Sequence, residues 1–258
     1  GEGCVEKLRG MFAFGLWDAR QKKMILARDR VGKKPLYYCY DGRRVAFASE
    51  LKALLQLPDV PREIDFQALD AYLSFGYVPS PMSIFKHIRK LPPAHIAVCT
   101  HNGIRMRPYW RLDMENPVEP KDTDAAAEEL TEIFDECVRL RLISDVPLGA
   151  FLSGGVDSAA VVASMALQSD TERVKTASIG FSEKRFDELQ YARQVATQCN
   201  TDHTEFVVAP DALDILDKIV WHFDEPFADS SAIPTYYVSQ MARKKVTVAL
   251  SGDGGDET

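Results

Sequence analysis

The sequence predicts an antiparallel α+β layer followed by an α/β domain built on a doubly wound parallel sheet. Three features predict it. Residues 1–112 hold short alternating apolar runs broken by Asp-Gly and Asn-Gly pairs. Residues 124–258 hold continuous apolar runs that alternate with helical periods. Between them the stretch "RLDMENPVEPKDTD" is polar and carries two prolines, so residues 113–123 read as a linker.

In the first part, "MFAFGLWD" and "KMILARDR" are β-type runs separated by the polar "ARQKK". "PLYYCY" and "RRVAFAS" flank Asp41-Gly42, while "HIAVCT" and "IRMRPYW" flank Asn102-Gly103. Both pairs predict hairpins, because a type I′ turn needs positive φ at its central residues. Helical spacing occurs at 49–56 and 65–75. In the second part, helices are predicted near 124–142, 158–168, 187–199, 211–221 and 232–244. The runs "VPLGAFL", "VKTASIGF", "HTEFVV" and "VTVAL" intervene as strands. Strands apolar on both faces and separated by helices imply a parallel sheet covered on both sides.

The 258 residues are 46% hydrophobic and 27% charged, ordinary for a soluble globular protein. No apolar run approaches the roughly 18 residues of a membrane helix, and no secretion signal is visible, so a cytoplasmic protein without a membrane partner is expected. Five scattered cysteines (Cys4, Cys39, Cys99, Cys137 and Cys199) form no CxxC pair, which predicts buried free thiols rather than disulfides or a zinc site. Residues 1–112 carry 19 Lys+Arg against 10 Asp+Glu, a net of +9, while the remainder carries 12 against 28, a net of −16. The basic residues alternate with strand-type apolar ones and form no dense block, which predicts solvated faces and no nucleic-acid partner.

Two glycine-rich stretches carry the chemistry. "AFLSGGVDS" at 150–158 and "VALSGDGGDE" at 248–257 each follow a predicted buried strand, and the first opens a helix. Ligands of open α/β sheets bind outside such strand ends. Glycines let backbone N–H groups approach an anion, and a helix N-terminus adds partial positive charge. Asp157 stands where a bare carboxylate would repel phosphate by about 4 kcal/mol at contact distance and an effective dielectric of 20. A Mg²⁺ ion resolves the conflict, since it takes one or two carboxylates together with phosphate oxygens. Asp157 and Asp256 are the expected metal ligands, with Asp253 and Glu257 as further candidates. The chain contains no GxxxxGK[ST], so a Walker A loop does not explain the pattern.

"LSGGVDSAA" resembles the pyrophosphate loop of the ATP-pyrophosphatase superfamily. Together with "LSGDGGDE" and "FDEPFADSSAIPTYYVSQMAR" it resembles, more narrowly, the synthetase half of asparagine synthetase B-like glutamine-dependent amidotransferases. "LRGMFAFGLWD", "ARDRVGKKPLYY" and "FASELKAL" resemble the second half of that family's glutamine amidotransferase domain. The resemblance implies part of an N-terminal-nucleophile amidohydrolase in residues 1–112 and an adenine nucleotide alpha hydrolase-like domain in 124–258. It implies Mg·ATP as the reactant that adenylylates a carboxylate, aspartate by default, and ammonia from glutamine as the attacking amine.

By the same resemblance Ser153, Gly154, Gly155, Asp157 and Ser158 cradle the β- and γ-phosphates of ATP, Val156 belongs to the same ATP-binding loop, and Leu152 and Ile179 line the adenosine pocket. Ser251 and Gly252 close the α-phosphate side. Asp253 and Asp256 are the implied catalytic carboxylates, with Asp253 where the family often has Glu. Small-molecule substrates and a homodimer are the implied partners. The family's glutaminase nucleophile is an N-terminal cysteine. Here Gly1 is first and Cys4 is internal, so the chain reads as an internal fragment without that nucleophile and with an incomplete ATP site.

Asp224, Glu225, Asp229 and Ser230 read either as part of an acceptor site or as a solvated loop. Asp187 and Glu188 suit a helix start on dipole grounds alone. His203 and His222 read as packed or exposed residues. Arg28, Asp29 and Arg30 read as a loop-ordering group or a structural ion pair. Two other functions compete: an RNA-modifying ATP pyrophosphatase, and a non-catalytic nucleotide-binding scaffold.

Overall fold

In the computed structural model, which describes residues 1–115, 122–169, 172–181, 189–208 and 212–255, the chain forms two units. Unit 1 is Gly1–Pro117 with Val220–Asp229, and unit 2 is Val118–Ile219 with Ser230–Thr258.

Unit 1 begins with a 3₁₀ turn, Glu2–Lys7, and continues through β1 (Ala13–Asp18), β2 (Lys23–Arg28), β3 (Tyr37–Tyr40) and β4 (Val45–Ala48). Two helices follow, α1 (Leu51–Leu54) and α2 (Phe66–Phe75), and then β5 (Arg89–Lys90), β6 (His95–Thr100) and β7 (Gly103–Pro108). The strands make a four-stranded sheet ordered β1-β2-β6-β7 and a three-stranded sheet ordered β4-β3-β5, both antiparallel. Period-two alternation sorts their side chains. Ile25, Ala27, Ile96 and Val98 join Val5 of the 3₁₀ turn on one face, whereas Leu26 and Ala97 point the other way. There they meet Leu36, Leu91, Tyr38 and Phe47 in a core shared by the two sheets. The second face of the smaller sheet is covered by Leu51, Leu54 and Leu69 of the helices.

Both predicted hairpins form, but neither turn is type I′. Gly42 (φ 92°) and Gly103 (φ 118°) take positive φ while Asp41 and Asn102 do not. The Asp41 side chain instead accepts from the Arg43 and Arg44 N–H groups at 2.8 and 2.7 Å, an Asx turn that replaces the second positive-φ residue. The predicted helix at 49–56 is reduced to four residues. α2 matches its prediction, capped by Asp65 at its start and ended by Gly76 in the left-handed region (φ 78°).

Unit 2 contains α3 (Thr123–Arg141), β8 (Leu148–Phe151), α4 (Val156–Leu167), β9 (Lys175–Phe181), α5 (Leu189–Gln198) and β10 (Asp202–Val208). After α6 (Ala212–Phe223), whose last turn belongs to unit 1, come α7 (Ala232–Ala242) and β11 (Val248–Leu250). The four strands are all parallel and ordered β10-β9-β8-β11. One face of this sheet packs against α3, α4 and α5 through Val138, Val162, Met165 and Ala192. The other packs against α7 and the turn after it, through Ala242 and Val246. The sheet is therefore doubly wound, as the alternating pattern predicts.

Gly149 lies at the centre of this sheet, in β8. A Cβ there would stand 2.5 Å from the Lys175 carbonyl oxygen and 3.0 Å from the Val246 side chain. Gly149→Ala should therefore lower stability by about 1–3 kcal/mol, the overpacking range. The measurement is the urea midpoint at unchanged slope.

Candidate functional site

The strand order places a crevice before any side chain is considered. From β8 the chain winds outward through β9 to β10, then returns to the other side of β8 to form β11. The direction of winding reverses between β8 and β11, and ligands of open α/β sheets bind at that reversal, outside the carboxyl ends of the strands. The two glycine-rich stretches occupy that position, one after each strand.

They touch. A Cβ on Gly252 would lie 2.7 Å from the Ser158 nitrogen and 2.9 Å from the Asp157 carbonyl carbon. One on Gly255 would lie 2.5 Å from the Asp157 carboxyl carbon. Only residues without side chains let the second loop cross the first turn of α4 this closely. Asp157 is in that turn, and Gly255, next in sequence to Asp256, is against its carboxylate. Asp256 and Glu257 lie outside the described residues.

The first loop is braced by its own serines. Ser153 Oγ and Ser158 Oγ are 2.9 Å apart, Gly155 N–H donates to Ser153 Oγ at 3.2 Å, and Ser158 Oγ donates to the Gly155 carbonyl at 3.1 Å. Gly154 takes φ 92°, and Gly155 caps α4 without a side-chain bond, so the helix N-terminus keeps donors for an anion. Val156 is exposed on that turn. Leu152 sits beneath the loop with its side chain in the core, its N–H bonded to the Ala177 carbonyl and its own carbonyl accepting from Ser178 Oγ. It supports the loop from below. Ile179 is half-buried near the carboxyl end of β9, two residues beyond the Phe151–Ala177 pair. In the second loop Ser251 Oγ donates to Asp253 Oδ2 at 2.9 Å, which holds this exposed carboxylate back against its own loop. Among the described residues no three His, Cys, Asp or Glu side chains gather as a metal cluster.

The family model for asparagine synthase matches residues 129–258, which is half of the chain. The chain belongs to the asparagine synthase family. A second model, for a glutamine amidotransferase domain, matches residues 1–110. A putative glutamine-hydrolysing asparagine synthetase 2 of Methanocaldococcus jannaschii is 40% identical over all of this chain and half of its own length. The glutamine-hydrolysing asparagine synthetase 1 of Bacillus subtilis is 39% identical over 99% of this chain and 40% of its own length. A protein of Mycobacterium bovis named as a putative glutamine-hydrolysing asparagine synthetase is 36% identical over all of this chain and 40% of its own length. The chain thus spans half or less of these curated relatives.

The remaining predicted residues of this member of the asparagine synthase family divide sharply. Asp224 and Glu225 belong to unit 1, where their carboxylates are buried against Lys52 and Lys90. Neither is solvated and neither is free to meet an acceptor. Burial raises the Glu225 pKa, opposed by its hydrogen bond to Lys90. Asp229 and Ser230 are exposed, and Asp187 and Glu188 lie outside the described residues. Asp29 is buried and accepts from the N–H groups of Lys33 and Lys34 at 2.9 Å, while the Arg28 guanidinium donates to the carbonyls of Gly32, Lys34 and Leu91. These two order the 29–34 loop through backbone bonds; Arg30 lies over the Trp110 ring. All five cysteines are free thiols, but only Cys99 is fully buried.

Sequence reasoning missed the two lysines, and nothing local marks them, because each is one basic residue in a basic region. It also missed the link in which Ser164 of α4 donates to Asp135 of α3 while Gln168 donates to Ser164 Oγ at 2.9 Å.

His203, largely buried in β10, bonds Thr176 Oγ1 through Nδ1 at 2.8 Å, while Nε2 is 3.6 Å from Glu205 and makes no hydrogen bond. Burial lowers its pKa, with Glu205 opposing. Folding therefore favours the neutral ring. The resulting stability is present above the ordinary histidine value and is lost as pH falls through the folded value. His203→Gln should flatten the decline of the denaturation midpoint below about pH 6.5; an unchanged slope contradicts the assignment.

Proposed function

We propose that this chain is part of a glutamine-dependent asparagine synthetase, a carbon–nitrogen ligase that uses ATP to convert a carboxylate, aspartate by default, into its amide. The observation that carries the reading is the crossing of the second glycine loop over the start of α4, with Gly255 against the Asp157 carboxylate. A turn-only role explains each loop alone but leaves unexplained why both meet at the reversal point of the sheet with a carboxylate between them. The match to a glutamine amidotransferase model over residues 1–110 supports glutamine as the nitrogen source.

The donor set suits Mg²⁺ held jointly with phosphate. Such an ion needs only one or two protein carboxylates, and Asp157 supplies one at a place where backbone donors accompany it; Asp256 is assigned as the second. When bound, the ion neutralises phosphate charge and favours departure of pyrophosphate. The chain's own groups do the rest. Loop 153–155 and the first turn of α4 present N–H and hydroxyl donors to the β- and γ-phosphates. Ser251 and Gly252 bound the α-phosphate side.

In the proposed reaction the acceptor carboxylate attacks the α-phosphorus, releasing pyrophosphate and leaving an acyl-adenylate. Ammonia then attacks the acyl carbon, and AMP departs with the bonding pair as the amide forms. Asp253, once released from Ser251, is assigned to the adenylate side of the site. Ile179 is assigned to the adenosine pocket.

In the full-length enzyme, Asp157→Asn should reduce aspartate-dependent exchange of labelled pyrophosphate into ATP by about 100-fold or more, the scale of removing one electrostatic stabiliser. Glutamine hydrolysis should persist. Exchange at near wild-type rate sinks the metal and phosphate assignment. Gly252→Ala should weaken ATP binding by about tenfold or more, because the added methyl displaces the loop from the helix N-terminus; calorimetric titration with ATP provides the check.

A further inference from the structure

Ten residues, Val220–Asp229, belong to unit 1 although residues 118–219 before them and 230–258 after them belong to unit 2. Within unit 1 they are held by more than backbone proximity. Lys52 Nζ donates to Asp224 Oδ1 at 2.8 Å and to the Trp221 carbonyl at 3.1 Å, and lies 5.4 Å from the centre of the Trp221 ring. Lys90 Nζ pairs with Glu225 Oε1 and donates to the Val78 carbonyl at 2.5 Å. The other Glu225 oxygen accepts from Ile84 N–H at 3.2 Å. The carboxylate side chains are only 6% and 10% exposed. Ala228 N–H donates to the Gly76 carbonyl, Phe227 bridges to Tyr77, and Phe223 stacks on Phe227 at 4.4 Å.

Two adjacent buried carboxylates, each paired with a lysine, are a costly way to hold a helix end and the loop after it. Desolvating the charges offsets most of their attraction, and apolar residues of similar size would hold the segment as well. Ion pairs are specific where apolar contact is not: Asp224, turned by its positive φ (66°), and Glu225 each fit one lysine in one register. The register is transmitted covalently. Residue 230 begins the approach to α7, whose end packs on the sheet, and α7 leads directly to β11 and the second glycine loop.

We propose that the Lys52–Asp224 and Lys90–Glu225 pairs are a positioning latch, seating segment 220–229 on unit 1 so that nitrogen released from glutamine is used for amide formation. The proposal rests on the synthetase reading above. The four residues are positioning residues; none is assigned to the reacting atoms.

The test compares amide formation from glutamine with that from ammonium chloride in the full-length enzyme. Glu225→Gln should lower the glutamine-to-ammonia ratio by about tenfold or more, as for one partner removed from a buried pair. Amide hydrogens of 220–231 should exchange faster by a similar factor. The double variant Lys90→Met/Glu225→Gln removes both charges and should recover thermal stability while keeping the low ratio and fast exchange. A wild-type ratio in the double variant means the pair only stabilises the fold, and overturns the latch; so does an unchanged ratio in the single variant. Should Glu225→Gln fail to fold, the double variant decides alone. An unmodified enzyme that makes no amide from either nitrogen source refutes the synthetase reading instead, and the exchange of 220–231 still tests the latch.

Discussion

The approach of the second glycine loop to the first turn of α4 constrains everything around it. With less than 3 Å between a hypothetical Cβ at Gly252 or Gly255 and the atoms of Asp157 and Ser158, the loop has no latitude to carry side chains at those positions. That distance in turn demands that β8 and β11 be hydrogen-bonded neighbours, as the Leu148–Val248 to Ala150–Leu250 register makes them. Adjacent parallel strands formed in this order need helices on both faces of the sheet. The cores on its two faces, one centred on Val162 and Met165 and one on Ala242 and Val246, follow from that need. The crevice at the reversal of the sheet is thus built from backbone geometry first and carboxylates second.

Charge is handled differently in unit 1. Its antiparallel strands leave loops whose N–H and C=O groups lack ladder partners, and buried ionic side chains serve those loops. Asp29 accepts from the N–H groups of Phe12, Lys33 and Lys34, and Arg28 donates to three carbonyls. Buried charges in such positions are tolerated because each is hydrogen-bonded to backbone dipoles. The net basic character of residues 1–112 therefore does not describe a single exposed face. Some of its cations, Arg28 and Lys90 among them, are turned inward to carbonyls and carboxylates.

The family match and the loop geometry support each other from independent directions. The asparagine synthase model reaches across 129–258, and that span contains both loops. The geometry adds that the loops share one crevice, a relation no one-dimensional match expresses. It also refines the roles of matched residues: Leu152 is a core residue beneath the loop, while the serines at 153 and 158 brace each other.

Much of this was legible in residue order. Alternation of apolar runs with 3.6-residue periods determined the strand and helix sequence of unit 2, because burying both faces of a parallel strand favours apolar residues along it and leaves few polar ones, such as Thr176 and Ser178, each hydrogen-bonded. Capping chemistry determined where α2 starts and stops, at Asp65 and Gly76. The loops announced themselves because an anion-binding turn needs glycine regardless of context. Tertiary structure alone decided what pairs across distance. The turn of the β3–β4 hairpin was settled by an Asx bond at Asp41 instead of two positive φ angles. Asp224 and Glu225, indistinguishable in sequence from solvated acids, became buried because Lys52 and Lys90, more than a hundred positions away, supply their countercharge. A carboxylate's environment depends on what folding brings within a few ångströms of it, and local sequence carries no record of that neighbour.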